Sequence, residues 1–159
     1  MRDEKTLQGT FTGCSAEGSY TPLAEIDIDQ ASAMLTVALA DLETVKEWEK
    51  KAPKESKQWN AIYKLAYDVI HTLCEAIIIF DRVKARTHEC VFAYICHKHP
   101  ELEINWSFLE TARTIRNRSV YYGEPASYQH WKEAQLQMHL SIRELKRAIE
   151  QRLKERQQE

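Results

Sequence analysis

Apolar residues return at three- and four-residue steps through most of this chain, and the rhythm breaks only at stretches that carry proline or glycine. From Asp29 onward, Leu35, Ala38, Leu39, Leu42 and Val45 trace one apolar helix face until KKAPKES supplies a proline break. Ser56 is placed to cap the next helix, whose Trp59, Ile62, Tyr63, Ala66, Ile70, Leu73, Ile77 and Phe80 keep the period over about seven turns. Its late part, CEAIIIF, is apolar nearly all round, as expected of a helix buried between neighbours.

Thr87 opens a short third helix through Val91, Phe92 and Ile95, which HKHPE closes because a residue before proline avoids the helical region. Asn105 is a good N-cap for a fourth, with Ile104 and Leu109 set as a hydrophobic staple and a core stripe of Phe108, Ala112, Ile115, Ser119 and Tyr122. A fifth helix runs from Ser127 to about Arg152 with Trp131, Ala134, Met138, Ile142, Leu145 and Ile149 inward, and the solvated tail KERQQE comes after it. Residues 1–27, rich in Thr, Gly and Ser, hold no sustained period and read as an irregular N-terminal extension to a helical domain over residues 28–155. Loops of roughly 4 to 9 residues favour antiparallel neighbours, so the expected fold is all-α, an up-and-down bundle of four long helices plus one short helix.

Composition agrees with helix, since four glycines and four prolines in 159 residues are few for an all-β fold. A formal charge of -2 gives no global basic field, so any nucleic-acid contact must come from a local patch. The first residues lack the apolar run of a signal peptide, and no stretch approaches the roughly 20 apolar residues that span a bilayer. The expected setting is therefore cytoplasmic, without a membrane partner. There Cys14, Cys74, Cys90 and Cys96 would stay reduced; their number and spacing suggest no disulfide framework, and their default role is core filling.

Most constellations that could carry chemistry have a simpler explanation. HECVFAYICHKH gathers His88, Cys90, Cys96, His97 and His99, but Cys90 and Cys96 would stand about 120° apart around a helix. They match no paired-ligand spacing of zinc modules, so no metal or cofactor is assigned. His71 is a candidate buried base, though a lone histidine in a core helix is more often a hydrogen-bonded structural residue. Glycine occurs only at 9, 13, 18 and 123, which excludes the usual phosphate loop, and serine hydrolase and kinase signatures are absent.

One stretch remains, RTIRNRSVYYGEP over Arg113–Pro125. A structural account explains its end: Gly123 is a natural left-handed C-cap, Pro125 enforces the stop, and cations suit the last turns of a helix. That account is incomplete for the arginines. Arg113 and Arg116 adjoin the core stripe, where a cation is costly unless an anion or partner meets it. Guanidinium groups beside two tyrosines form a patch that holds phosphate or stacks a base.

The helix order, YDVIHTLCEAIIIFDRVKARTHE in the second helix and above all IRNRSVYYG near the end of the fourth resemble the HEPN superfamily over about Ile28–Leu153. That resemblance implies a small all-α homodimer of prokaryotic toxin–antitoxin or defence systems, often beside a minimal nucleotidyltransferase. Active HEPN ribonucleases carry an arginine, a polar residue and a histidine after a gap of four to six residues. Arg116 and Asn117 match the first half, but the histidine position falls on Tyr121 or Tyr122, and His130 lies beyond the Gly-Glu-Pro break.

Tyrosine, with an ordinary pKa near 10, is a poor proton acceptor at neutral pH. The favoured expectation is thus a non-catalytic or weakly catalytic module that binds RNA, a nucleotide or a nucleotidyltransferase. Arg113, Arg116, Asn117, Arg118, Tyr121 and Tyr122 would form its binding surface. The alternatives are a metal-independent endoribonuclease toxin with Arg116 and Tyr121 catalytic, or with a histidine from elsewhere as proton carrier, and a helical interaction module whose arginines pair with carboxylates such as Glu103 and Glu110. On a helix, residues five apart diverge by about 140°, so Arg116 and Tyr121 converge only through a loosened helix end or a second subunit.

Overall fold

The structure, a computed structural model, describes residues 5–158, and within them the protein is all-α apart from one small ribbon. The α-helices are α1 Leu7–Ala16, α2 Ile28–Lys51, α3 Gln58–Phe80, α4 His88–Lys98, α5 Trp106–Tyr122 and α6 Tyr128–Gln157. Strands β1 Tyr20–Pro22 and β2 Val83–Ala85 pair antiparallel, with Thr21 opposite Lys84. No described helix is long and apolar enough to cross a membrane.

Local capping chemistry places the helix starts. Thr87, Asn105 and Ser127 each accept a hydrogen bond from the backbone N–H three residues on, at 3.2, 2.8 and 3.3 Å, which satisfies donors that have no partner in the first turn. Ser127 also shares a capping box with His130, whose Nδ1 accepts from the Ser127 backbone at 3.0 Å. Asp27 caps α2 by accepting from Gln30 at 2.9 Å, and Ser56 accepts from Gln58 one position ahead of the cap of α3. At its far end α6 stays helical through the exposed Lys154 and Glu155, helped by the Gln151–Glu155 hydrogen bond of 3.0 Å one turn apart.

The all-round apolar helix predicted from CEAIIIF is the hub. α3 packs against α2, α6, α4 and α5, and buries Ile62, Ala66, Ile70, Leu73 and Ile77 completely. Glu49 ties α2 to α6 by accepting from Trp131 Nε1 at 3.3 Å and from Gln135 Nε2, with His139 Nε2 3.3 Å away. In α5 only Leu109 and Ala112 are buried; the expected core residue Tyr122 is 77% exposed, because the helix runs out past its neighbours.

Two expectations need correction. Residues 5–27 are not an irregular extension: α1 rests on α4 and β1 pairs with β2, while residues 1–4 lie outside the described residues. Periodicity is silent here because α1 buries only Thr10 and Cys14, and its contacts come from distant parts of the chain. Phe11 stacks on His97 with centroids 4.0 Å apart, the Tyr20 hydroxyl donates to the Cys90 carbonyl at 2.7 Å, and Arg82 donates to the carbonyls of Leu23 and Ala24.

The second correction concerns the cysteines. Cys14 and Cys90 form a disulfide across a sequence separation of 76, a pairing that spacing along one helix has no means to signal. In the chain-entropy account a loop of that length contributes about 4 kcal/mol. Cys74 and Cys96 are the buried free thiols that were expected.

Candidate functional site

The N-terminal end of α4, the middle of α3 and the last turns of α5 converge on a small polar cluster. His88, the first residue of α4, has Nδ1 3.0 Å from the Tyr67 hydroxyl, and its ring stacks on that of His71 with centroids 3.6 Å apart. Tyr67 and His71 stand one turn apart on α3, so one stripe of that helix delivers both. From α5, the Arg116 guanidinium lies over the Tyr67 ring, 5.6 Å from its centroid.

Among the described residues no carboxylate forms an ion pair with Arg116, although Asp68 feels its charge: burial raises the Asp68 carboxyl and Arg116 pulls it back. Its Nη1 donates to Asn117 Oδ1 at 3.1 Å, while its Nε is buried without a hydrogen-bond partner among the described residues. Arg113 is the opposite case, held by Glu110 through two hydrogen bonds of 3.1 and 3.0 Å and by Glu89 at 2.7 Å. The structural pairing expected for the arginines is thus realised at Arg113 alone, and with Glu89 in addition to Glu110; the ion pairs of the described residues include none from Glu103 to an arginine. Arg118 is exposed, and its carbonyl accepts from Gly123 and Glu124, which ends the helix with Gly123 in the left-handed region at φ 66°.

Burial, with Arg116 alongside, sets the electrostatics. Burial, then the stacked His88 and Arg116, pushes the His71 imidazole down to about 3. His71 Nε2 makes no hydrogen bond; Glu75 Oε1 lies 3.6 Å away, an electrostatic neighbour too distant to accept. Burial, then Arg116 and Arg113, also lowers the pKa of His88. The Tyr67 hydroxyl is held above its ordinary range by burial, against the pull of Arg116 and Arg113. Both imidazoles are therefore neutral at pH 7.

This cluster opens into a groove of about 850 Å³ whose lining includes His88, Arg113, Arg116, Asn117 and Tyr121, with α1 forming the opposite wall. Tyr121 is 69% exposed there. Arg118 and Tyr122 line a second groove of about 1000 Å³ with Trp106 and His130, on the other side of α5. Lys5, Thr6, Arg113 and Asn117 border both. The structure thus brings together Arg113, Arg116, Asn117 and Tyr121 in the first groove, puts Arg118 and Tyr122 in the second, and leaves Arg113 and Asn117 on the rim between the two. α5 remains helical to Tyr122, so Arg116 and Tyr121 share the groove without any loosening of the helix end.

Sequence reasoning missed His88 and Tyr67. His88 was counted in a candidate metal cluster that the fold disperses. Cys90 is in the disulfide, the Cys96 thiol donates to the Ile104 carbonyl at 3.5 Å, His97 stacks on Phe11, and His99 binds Asp81. The available signal was the one-turn spacing of Tyr67 and His71 on α3 together with a histidine directly after the Thr87 cap. His71 itself is a buried imidazole whose Nε2 goes unsatisfied, not the hydrogen-bonded core histidine that was expected. No family model, curated protein or solved structure matches the chain.

Proposed function

We propose that this is a HEPN-like module that binds RNA or a nucleotide through the groove between α1, α4 and α5. The observation that carries the reading is Arg116: a half-buried guanidinium that forms no ion pair among the described residues, with Asp68 felt only as a neighbouring charge, its Nε unpaired, opening beside an exposed tyrosine. A phosphate would supply the missing anion through charge-assisted hydrogen bonds, and Tyr121 offers a face on which a base stacks. Asn117 fixes the guanidinium plane, Arg113 contributes field while held by its two glutamates, and Arg118 and Tyr122 extend the surface across α5.

On this reading the helices form an up-and-down bundle of the HEPN type in a prokaryotic, cytoplasmic toxin–antitoxin setting. The chain pairs as a homodimer that brings two copies of Arg116, Asn117, Tyr121 and Tyr122 to one cleft, with a minimal nucleotidyltransferase as partner. The test is fluorescence anisotropy with a labelled single-stranded RNA. Arg116→Ala should weaken binding at least ~10-fold, the scale of one charge-assisted contact, and the wild-type affinity should fall as salt rises. Salt-independent binding, or equal affinity in the variant, rejects the site.

A second reading, metal-independent RNA cleavage, is favoured by one observation: a neutral histidine, His88, stands in the groove that Arg116 lines. With Nδ1–H donating to the Tyr67 oxygen, Nε2 is free to accept a proton from an attacking 2′-hydroxyl, and Arg116 meets the charge that develops on the phosphate. Tyr121 then stacks the base. Cleavage of the same RNA that Arg116→Ala and His88→Gln both abolish would select this reading over binding alone.

A further inference from the structure

We infer that α1 is a redox-latched cover over this groove, held shut by the Cys14–Cys90 disulfide and released when a dithiol reduces it. The groove side of the inference rests on the site described under Proposed function; the latch itself does not.

α1 is a weak helix by its own propensity. It has ten residues, including Gly9, Gly13, Thr10 and Thr12, and helices shorter than about 12–15 residues are marginal in water even with better formers. Its ion pair, Lys5–Glu89 at 3.1 Å, has its lysine largely in solvent and adds little. Beyond that, α1 is fixed by Leu7 and Phe11, which pack against the core, with Phe11 stacked on His97 and beside Tyr20 and Tyr94, by the Trp106 indole donating to the Lys5 carbonyl at 3.0 Å and by the disulfide. The disulfide is the one covalent bond among these ties and the one that a reductant removes.

The segment after α1 is anchored independently. β1 is paired with β2, the Ser19 carbonyl accepts from Arg86 and the Tyr20 hydroxyl donates to Cys90, so release need not carry the strand away. Between them Gly18 sits at φ 71°, where a residue without Cβ turns freely, and marks the hinge. Both half-cystines line the groove, as do Gly9 and Gly13, across from His88 and Arg116. The other thiols, Cys74 and Cys96, are buried and burial holds both well above their ordinary range, so they do not compete in exchange. Disulfides in reducing compartments are usually transient or sensing rather than structural.

The chemistry is thiol–disulfide exchange. A dithiol attacks one sulfur, the Cys14–Cys90 bond breaks, the reductant closes to its own disulfide, and two electrons and two protons end on the cysteines as thiols. Freed of the link, α1 swings about Gly18 and uncovers Arg116.

Two readouts on the full chain, neither using RNA, test this in the oxidised protein and after dithiothreitol. Hydrogen exchange of the α1 amides should speed at least ~10-fold on reduction while the α3 amides stay protected. Modification of Arg116 by phenylglyoxal, read by peptide mass spectrometry, should rise several-fold while that of exposed Arg118 is unchanged. Cys14→Ser should reproduce the reduced state. Gly13→Ala, whose added methyl meets nothing within 4 Å, should slow α1 exchange in the reduced protein about 5-fold by raising helix propensity. Unchanged α1 exchange after reduction, loss of α3 protection together with α1, or constant Arg116 reactivity with α1 open would each overturn the latch. RNA binding absent in both redox states, with α1 release intact, would remove the binding reading and leave the latch standing.

Discussion

The two ends of α4 each carry a half-buried histidine, and the two are treated in opposite ways. At the C-terminal end His99 Nε2 is 2.5 Å from Asp81 Oδ2 and Nδ1 is 3.0 Å from Glu101 Oε1. The Asp81 hydrogen bond, against burial and with Glu101 adding, raises its pKa. Burial pushes the Asp81 carboxyl up, but His99, Tyr94 and Arg152 together pull it below its usual value. At the N-terminal end His88 and His71 meet each other, a tyrosine and an arginine with no ion pair among the described residues, and both pKa values fall. The helix dipole acts in the same sense at each end, disfavouring a cation at His88 and favouring one at His99.

The difference separates fold from site. The His99 end joins α3, α4, the turn over Pro100–Leu102 and α6 into a satisfied ionic cluster, with Arg152 Nη2 3.4 Å from the ring. The His88 end leaves Arg116 Nε and His71 Nε2 buried without partners and faces a groove. A folded chain retains such unmet groups where something else is meant to meet them.

Three substitutions sharpen or break the contrast, and the largest effect is expected at the unsatisfied end. His71→Leu removes a buried polar atom without a partner and should stabilise the protein by about 1 kcal/mol at pH 7. The gain should widen in acid. Below its ordinary pKa of about 6.5, His71 takes a proton in the unfolded chain but not in the folded one, so the wild type loses stability as pH falls from about 6.5 toward about 3. At pH 4 the variant should lead by about 3 kcal/mol more than at pH 7; urea denaturation at both pH values measures it, and parallel pH dependences of the two proteins would refute it.

Next in size is Asp81→Ala, which removes the main partner of the His99 imidazolium and should cost about 2 kcal/mol at pH 6. The sign in pH is reversed here: a raised pKa stabilises fully below about 6.5 and the contribution is lost as pH rises through the folded value. The deficit in melting temperature should therefore shrink from pH 6 to pH 9, and a deficit that grows over that range would contradict the assignment. The smallest effect is Tyr67→Phe, which takes the hydroxyl from His88 Nδ1 and should cost about 1 kcal/mol, read as a small drop in the thermal midpoint. A loss as large as that of Asp81→Ala would mean the His88 end is as structural as the other.

The legible part of this fold is the part written in local chemistry. Asn105 caps the helix it was expected to cap, Thr87 and Ser127 cap the helices they were expected to open, Ser56 stands one position ahead of its helix's cap, and the apolar face of Ile62, Ala66, Ile70, Leu73 and Ile77 is the buried face of α3. Each of these needs only residues within a turn or two. Of the site, Arg113, Arg116, Asn117 and Tyr121 were visible as an odd cluster of cations at a helix end, and they do share a groove. Hidden were the partners that sort the arginines: Glu89, which claims Arg113 from 24 positions away, and Tyr67, whose ring lies under Arg116.

By itself, then, the sequence determined α2 to α6, most of their starts and the inward faces of α2, α3 and α6, because periodicity and capping are properties of neighbours along the chain. The tertiary structure alone decided that Cys14 meets Cys90, that a stretch without periodicity becomes the wall of a groove, and that His88 stands with His71 beside Arg116. It also decided which histidine pKa rises and which falls. A pKa and a disulfide both depend on what lies across a gap of a few ångströms, and at those places the residues across the gap belong to another part of the chain.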